Sequence, residues 1–358
     1  MRILHIDTGL MMRGGQTQLM MLVRGMRDKG YQQTIACPPS SALAKAASEE
    51  GFEILAIPRR YWRACQTIRQ FLKAHPHDIV SAHDSRAQTI SYFATVGRPI
   101  LRVANRLVAF EPRNRLVHRV KYSRTCDVVV ASSQAVKDTM VRNGVPSDHI
   151  KVIRGGIDFP EHLPDHEQAR ARMRAKWKLH AGDFVIGHLA AFTSEKGQLD
   201  ALYVLVALLP RHPNLRMILA GDGPLREDPQ TRAQARLAHG AALLPGYIKP
   251  DAEFYAGLDL FLANSTSEAL GLAPLYAMAH ELPVIASNVG GLPEVVGDGG
   301  WLIPPSDTAA LALAIEQALS DPVRLRELGR RARQHARDFS ADATIDQTEA
   351  LYQQLLNR

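Results

Sequence analysis

Cysteine is scarce: Cys37, Cys65 and Cys126 are odd in number and far apart, which excludes a disulfide framework and the close pairing of zinc or redox motifs. They read as buried, reduced thiols. No apolar run approaches the ~18–20 residues that a bilayer crossing requires. Met1-Arg-Ile-Leu-His-Ile-Asp7 meets charge too early for the apolar stretch of a secretory leader, so a cytoplasmic location is expected, with the inner face of the cytoplasmic membrane left open. Low-complexity tracts and short repeats are lacking. So are a Walker loop, a nucleophile-elbow serine and paired aspartates of the kind that hold Mg²⁺ on a diphosphate. His75 and His77 are too sparse for zinc. Neither a metal nor a cofactor is therefore expected.

What is present is ample core material. The chain has 358 residues, 46% hydrophobic and 22% charged, enough for two globular domains of about 150–200 residues. The net charge of +7 is divided unevenly: residues 1–160 carry 24 Lys/Arg against 12 Asp/Glu, and the remainder 19 against 24. A basic first half suits an anionic membrane surface, a nucleic acid or a phosphorylated ligand, and it also suits a merely solvated surface. Nucleic acid is disfavoured, because the basic half lacks interleaved aromatic residues and any binding motif.

Short apolar runs predict strands at 3–6, 33–36, 53–57, 79–82, 100–104, 128–131 and 151–153. A loop holding Gly14 and Gly15 is expected after the first, then a helix over 16–29 whose Leu19, Leu22, Val23 and Met26 share one face. After a polar stretch at 160–167 the pattern restarts, with strands at 185–189, 217–220, 241–244, 260–263, 283–286 and 301–303. Strands alternating with helical segments imply an α/β chain of two doubly wound, Rossmann-like domains facing a central cleft, with ligand at the strand C-terminal ends. The boundaries read as 1–165 and 166–340, with a final helical segment, 341–358, crossing back to the first domain.

The densest chemical signal follows the strand at 260–263. Asn264-Ser-Thr-Ser-Glu268-Ala-Leu-Gly271-Leu272 places a carboxylate in a loop and a glycine at a helix start, where unpaired N–H groups suit a pyrophosphate. Gly290 and Gly291 form a second tight loop, with Glu294 opening the next helix. Ordinary capped loops would look similar.

This region resembles the donor site of the retaining GT-B glycosyltransferases that use sugar nucleotides, glycosyltransferase family 4 with glycosyl transferases group 1. The resemblance implies that Glu268 lies against the donor sugar and that Gly271 and Leu272 lie by the phosphates. A second glutamate, which in the family grips the ribose, is replaced here by Tyr276. Val185-Ile-Gly-His-Leu-Ala-Ala-Phe-Thr-Ser-Glu-Lys196-Gly is similar to the segment that supplies an Arg and a Lys to the donor phosphates. Lys196 fits the Lys, and Ala191 occupies the Arg position. By the same resemblance the Gly221 turn lies near the nucleotide, Tyr247 and Ile248 line the base, and Gly14 and Gly15 approach both donor phosphate and acceptor.

On the acceptor side, His83 could contact a hydroxyl or simply make structural hydrogen bonds. Asn105 falls where many relatives carry a His near the donor sugar. The run Arg102, Arg106, Arg113, Arg115, Arg119 and Lys121 either grips a phosphorylated or membrane-bound acceptor or is a solvated helix face. The resemblance implies transfer of a sugar from a nucleotide diphosphate to a saccharide or glycolipid acceptor, with retained anomeric configuration, without a metal, and in cell-envelope polysaccharide or lipopolysaccharide synthesis. A sugar-nucleotide epimerase or hydrolase on the same fold stays open as an alternative. So does a catalytically silent nucleotide-sugar-binding partner, which Tyr276 and Ala191 favour.

Overall fold

The computed structural model of the chain describes residues 1–108, 112 and 114–357. It divides into two compact units, Met1–Asp158 with Ser340–Arg358, and Phe159–Phe339. The break thus falls ahead of the polar stretch that marks it in the sequence, and the C-terminal segment belongs to the first unit.

The first unit is built on seven parallel strands: β1 (Arg2–Ile6), β2 (Gln32–Cys37), β3 (Glu53–Ala56), β4 (Ile79–Ala82), β5 (Leu101–Arg106), β6 (Val128–Ala131) and β7 (Ile150–Val152). Their order is β3-β2-β1-β4-β5-β6-β7. Ile3 pairs with Gln33 on one side and Ile79 on the other. Both faces are covered, as a parallel sheet with helical crossovers requires, and β4 and β6 are buried along their whole length. Leu4, Ile6, Val80 and Ala82 pack under the helices Tyr61–Ala74 and Ser85–Thr95. Ile3, Ile79, Val103 and Val130 pack with Met21, Met26, Ile345, Tyr352 and Leu355. The last three lie on the terminal helix Ala341–Leu356, which is therefore part of this core. Ser340 caps that helix, and Ile157 bridges back to Ser340.

The second unit carries six parallel strands: β8 (Phe184–Leu189), β9 (Leu215–Ala220), β10 (Ala242–Gly246), β11 (Leu260–Ala263), β12 (Val284–Ser287) and β13 (Gly300–Ile303). Their order is β10-β9-β8-β11-β12-β13. Ile186, Met217, Leu219, Leu260, Leu262 and Ile285 are fully buried with the helix Gln198–Leu208 and the helix Thr308–Ser320. In each sheet the strand order reverses once, between β1 and β4 and between β8 and β11. At such a reversal the loops leaving neighbouring strands diverge to opposite faces and open a crevice beyond the strand ends.

One local expectation is corrected. Gly14 and Gly15 do not form a loop but the first turn of the helix Gly14–Asp28. Arg13 is the extended residue before it, and its N–H donates to Gln16 Oε1 at 3.1 Å, which starts the helix two residues earlier than the apolar pattern suggests. The three cysteines are buried free thiols.

Candidate functional site

In the second unit, Lys196 and Glu268 flank the reversal. Lys196 ends a 3₁₀ turn, Ser194–Lys196, in the loop leaving β8, and Glu268 sits in the loop leaving β11. Lys196 Nζ donates to Glu268 Oε2 at 2.6 Å, with both side chains about four-fifths buried. Several bonds fasten the two loops to each other. Thr266 N–H donates to the Glu195 carbonyl at 2.8 Å, and Asn264 Nδ2 donates to the Gly197 carbonyl at 2.8 Å. His188 Nε2 lies 3.0 Å from the Lys196 carbonyl. Burial lowers His188 to about 4, so it is neutral near pH 7 and its Nε2–H donates to that carbonyl.

Close backbone approach explains the glycines. A Cβ on Gly290, whose φ is +55°, would lie 1.7 Å from the Glu268 carbonyl oxygen, and Gly291 N–H donates to that oxygen at 3.2 Å. A Cβ on Gly221 would lie 1.8 Å from the Ala190 carbonyl oxygen. The turn of Gly221 and Gly223 thus supports residues 190–193, where Ala191 stands, from below. Gly271, at φ +108°, precedes the helix Leu272–Ala279, whose first turn holds no acidic residue. Leu272 is its first residue and Tyr276 lies half-buried one turn on, its carbonyl bonded to His280 Nδ1 at 2.8 Å. Unpaired N–H groups at this helix start and the ammonium of Lys196 are what a diphosphate requires. Tyr247 and Ile248 follow the edge strand β10, away from the reversal, and Tyr247 is 76% exposed.

In the first unit the loops leaving β1 and β4 carry Asp7, the helix start at Gly14 and Gly15, His83 and Asp84. Asp84 Oδ1 accepts from Arg86 N–H and Ala87 N–H, and its Oδ2 accepts from Thr8 N–H at 2.6 Å, joining the two loops. Asp7, absent from the sequence reading, is buried. It accepts from Gln16 Nε2 on both oxygens and from Gly9 N–H at 2.9 Å, and burial raises its pKa. A lone acid ending a buried strand was the available signal.

His83 belongs to a buried chain of hydrogen bonds whose protons can be placed. Gln33 Nε2 donates to the Val23 carbonyl at 2.8 Å, which turns Gln33 Oε1 toward His5 Nε2 at 3.1 Å. His5 Nε2 must then carry the proton. Burial lowers His5 to about 4, so the ring is neutral and its Nδ1 accepts from His83 Nε2–H at 3.1 Å. His83 is also held neutral by burial, with His5 adding to the shift. Its Nδ1 is therefore a lone pair, fixed as an acceptor. Ser81 Oγ lies 3.3 Å from His83 Nε2 and accepts from Tyr352 OH and from Asn105 Nδ2. Asn105 Nδ2 also donates to the Ala82 carbonyl, leaving Oδ1 as its group for a ligand. Arg106 lies over the Tyr122 ring and Lys121 Nζ bonds the Ser85 carbonyl, so these two are anchored rather than free in solvent. Arg113 lies outside the described residues. Among the described residues no group of three or more His, Cys, Asp or Glu is placed to hold a metal, and no helix is long and apolar enough to cross a membrane.

Comparison with known proteins bears on this arrangement. The model described as Glycosyltransferase Family 4 matches residues 12–160, and that described as Glycosyl transferases group 1 matches residues 169–336. The D-inositol 3-phosphate glycosyltransferase of Rhodococcus jostii is 30% identical over 250 residues, covering 66% of this chain and 54% of that protein. The chain spans about half the length of the curated relatives it matches. Among solved structures, Anabaena HepE in complex with UDP superimposes with a TM-score of 0.88 at 22% identity, over 99% of this chain and 100% of that one. The same protein with UDP-glucose gives 0.85. Two parallel sheets with these strand orders, each half matched by a glycosyltransferase model, place the chain in the GT-B glycosyltransferase family.

Proposed function

We propose that the chain transfers a sugar from a nucleotide diphosphate to an acceptor hydroxyl, with the donor seated on the second unit. The observation that carries this reading is the contact of Lys196 with Glu268 at the strand-order reversal, beside the helix start at Gly271. In the step itself the bond from the anomeric carbon to the diphosphate breaks and its electron pair leaves with the phosphate. Lys196 and the N–H groups at Gly271 neutralise that growing charge where a metal would otherwise serve. Glu268 holds the sugar hydroxyls. The acceptor oxygen bonds to the same carbon, and its proton passes to the departing phosphate. Entry on the face the leaving group vacates gives retention, which the family resemblance favours. The complexes of HepE with UDP and UDP-glucose support a uridine diphosphate sugar as the first donor to try. A saccharide or glycolipid of the cell envelope suits the acceptor.

The test is a transfer assay with UDP-, GDP-, ADP- and TDP-sugars against lipid and saccharide acceptors, with and without a chelator. Lys196→Ala and Glu268→Gln should each lower kcat by about 10²–10³-fold, as loss of a charge-stabilising donor does elsewhere. Transfer at wild-type rate in both variants would sink the site. Turnover of donor that ignores the acceptor would favour the hydrolase or epimerase reading, and binding without turnover the silent partner, to which Tyr276 and Ala191 give weight.

A further inference from the structure

Three consecutive carbonyls run through the turn that carries the Lys196 ammonium, and each is taken by a donor fixed to the sheet of the second unit. The Glu195 carbonyl accepts from Thr266 N–H at 2.8 Å, the Lys196 carbonyl from His188 Nε2–H at 3.0 Å, and the Gly197 carbonyl from Asn264 Nδ2 at 2.8 Å. The first donor is a backbone group that nearly any residue would supply. The other two are side chains, one on β8 and one just beyond β11, the strands on either side of the reversal.

Neither side chain is what the fold alone would favour. His188 is 2% exposed in a strand, Phe184–Leu189, whose other residues are all apolar, and Asn264 is 4% exposed. A leucine would bury at either place with no loss of hydration, whereas an imidazole or an amide offsets its burial only through the hydrogen bond it makes. Both bonds end on the same short stretch. With the carbonyls of Lys196 and Gly197 held, the peptide planes on both sides of Gly197 are fixed, and with them the direction in which the Lys196 side chain leaves the backbone. Nothing intervenes between the two loops here, since a Cβ on Gly197 would lie 2.4 Å from the Asn264 carbonyl oxygen. Burial keeps the His188 ring neutral, and the Lys196 ammonium opposes a second proton on it as well. The ring therefore donates beside that ammonium without setting a like charge against it.

On the footing of the transfer reaction proposed above, we propose that His188 and Asn264 are positioning residues for it: by clamping the peptide groups on both sides of Gly197 they aim the Lys196 ammonium at the departing phosphate. Both are too deeply buried to touch the donor themselves. A lysine carries its charge on a flexible four-carbon stem, so on a loose turn the ammonium would sample many positions. A misplacement of about 1 Å is enough to slow a reaction by about 10²-fold. With the backbone held, only the side chain has to turn, from Glu268 to the phosphate. The charge that Lys196 meets grows as the diphosphate leaves, so loss of the clamp should lower kcat more than it raises KM.

The test is a double-mutant cycle, read by transfer from the UDP-, GDP-, ADP- and TDP-sugars and by calorimetric titration of the four nucleoside diphosphates. His188→Leu should lower kcat about 10–10²-fold in the wild-type background but by less than about twofold in Lys196→Ala, where no ammonium is left to aim. His188→Gln, whose amide nitrogen reaches the place of Nε2, should restore most of the rate. Asn264→Leu should behave as His188→Leu does, and it carries the cycle if circular dichroism and a thermal melt show the first variant to be poorly folded. Equal falls in both backgrounds would mean a merely structural role and overturn the proposal. So would a wild-type rate in both leucine variants, or a His188→Gln as slow as His188→Leu. If instead Lys196→Ala transfers at the wild-type rate, or the wild type neither turns over nor binds any of the nucleotides, the transfer site itself fails and the clamp falls with it.

Discussion

At position 290 a single methyl group would lie inside van der Waals distance of the Glu268 carbonyl, and the atom it meets is backbone, which cannot swing aside. Gly290→Ala should therefore displace Glu268. Transfer should fall about 10²-fold, as it does when a catalytic group moves by an ångström. The added cost of a left-handed alanine is about 1–2 kcal/mol. Steady-state kinetics beside a thermal melt would separate the two effects, and unchanged kcat would contradict the placement of Glu268. His5 and His188, one in each unit, make a second prediction. Each is held at about 4, below the ordinary 6.5, chiefly by burial. Between those values the unfolded chain takes up a proton that the folded chain refuses, so stability falls as pH drops from 6.5 toward 4, by about 3 kcal/mol for each histidine. Urea midpoints between pH 6.5 and 4.5 should decline less steeply in His188→Gln than in the wild type. Equal slopes would contradict the assignment. The proton order in the Gln33–His5–His83 chain is open to nitrogen-15 NMR. His83 should show the Nε2–H tautomer in the wild type, and Gln33→Leu should disturb it, whereas an Nδ1–H tautomer in the wild type would contradict the chain.

Among the elements, the terminal helix Ala341–Leu356 shows what holds the first unit together. Tyr352 is fully buried among Ile3, Ile79 and Val103, and its hydroxyl donates to Ser81 Oγ at 3.0 Å. Tyr352→Ala should cost about 3–5 kcal/mol in urea unfolding, the usual range for a large buried ring, and a loss below about 1 kcal/mol would show that the helix is not part of the core. The strands were legible beforehand. Runs such as Val128–Ala131 and Leu260–Ala263 are apolar on both faces and bounded by turn or charged residues, the pattern of a buried parallel strand, and Ile79–Ala82 departs from it only at Ser81. The start of the first helix was not, because a glycine pair weighs toward a loop and the contribution of Gln16 to Arg13 depends on geometry. Lys196 and Glu268 were each nameable from local motifs. Their contact was not, since it joins residues 72 apart through the strand order. The same holds for His5 and His83, 78 apart, whose partnership appears only once β1 and β4 lie side by side.

For the whole molecule, the two units differ in how the chain builds them. Phe159–Phe339 is one continuous segment with its own core, whereas the first unit needs both ends of the chain. The segment 159–339 expressed alone should therefore fold and bind the donor nucleotide but transfer no sugar, whereas residues 1–158 alone should unfold more readily for want of the helix that carries Tyr352 into their core. Circular dichroism and nucleotide titration of the two pieces would check this, and a stable 1–158 would contradict it. The proposed donor site thus depends on one unit, and so does its most direct test. Uridine diphosphate and the guanosine, adenosine and thymidine diphosphates would be titrated calorimetrically into the full chain and into Lys196→Ala. At least one of them should bind the wild type, with an affinity that falls about tenfold or more when the ammonium is removed. Equal affinity in both proteins, or no binding of any of the four to the wild type, would contradict the proposed donor site.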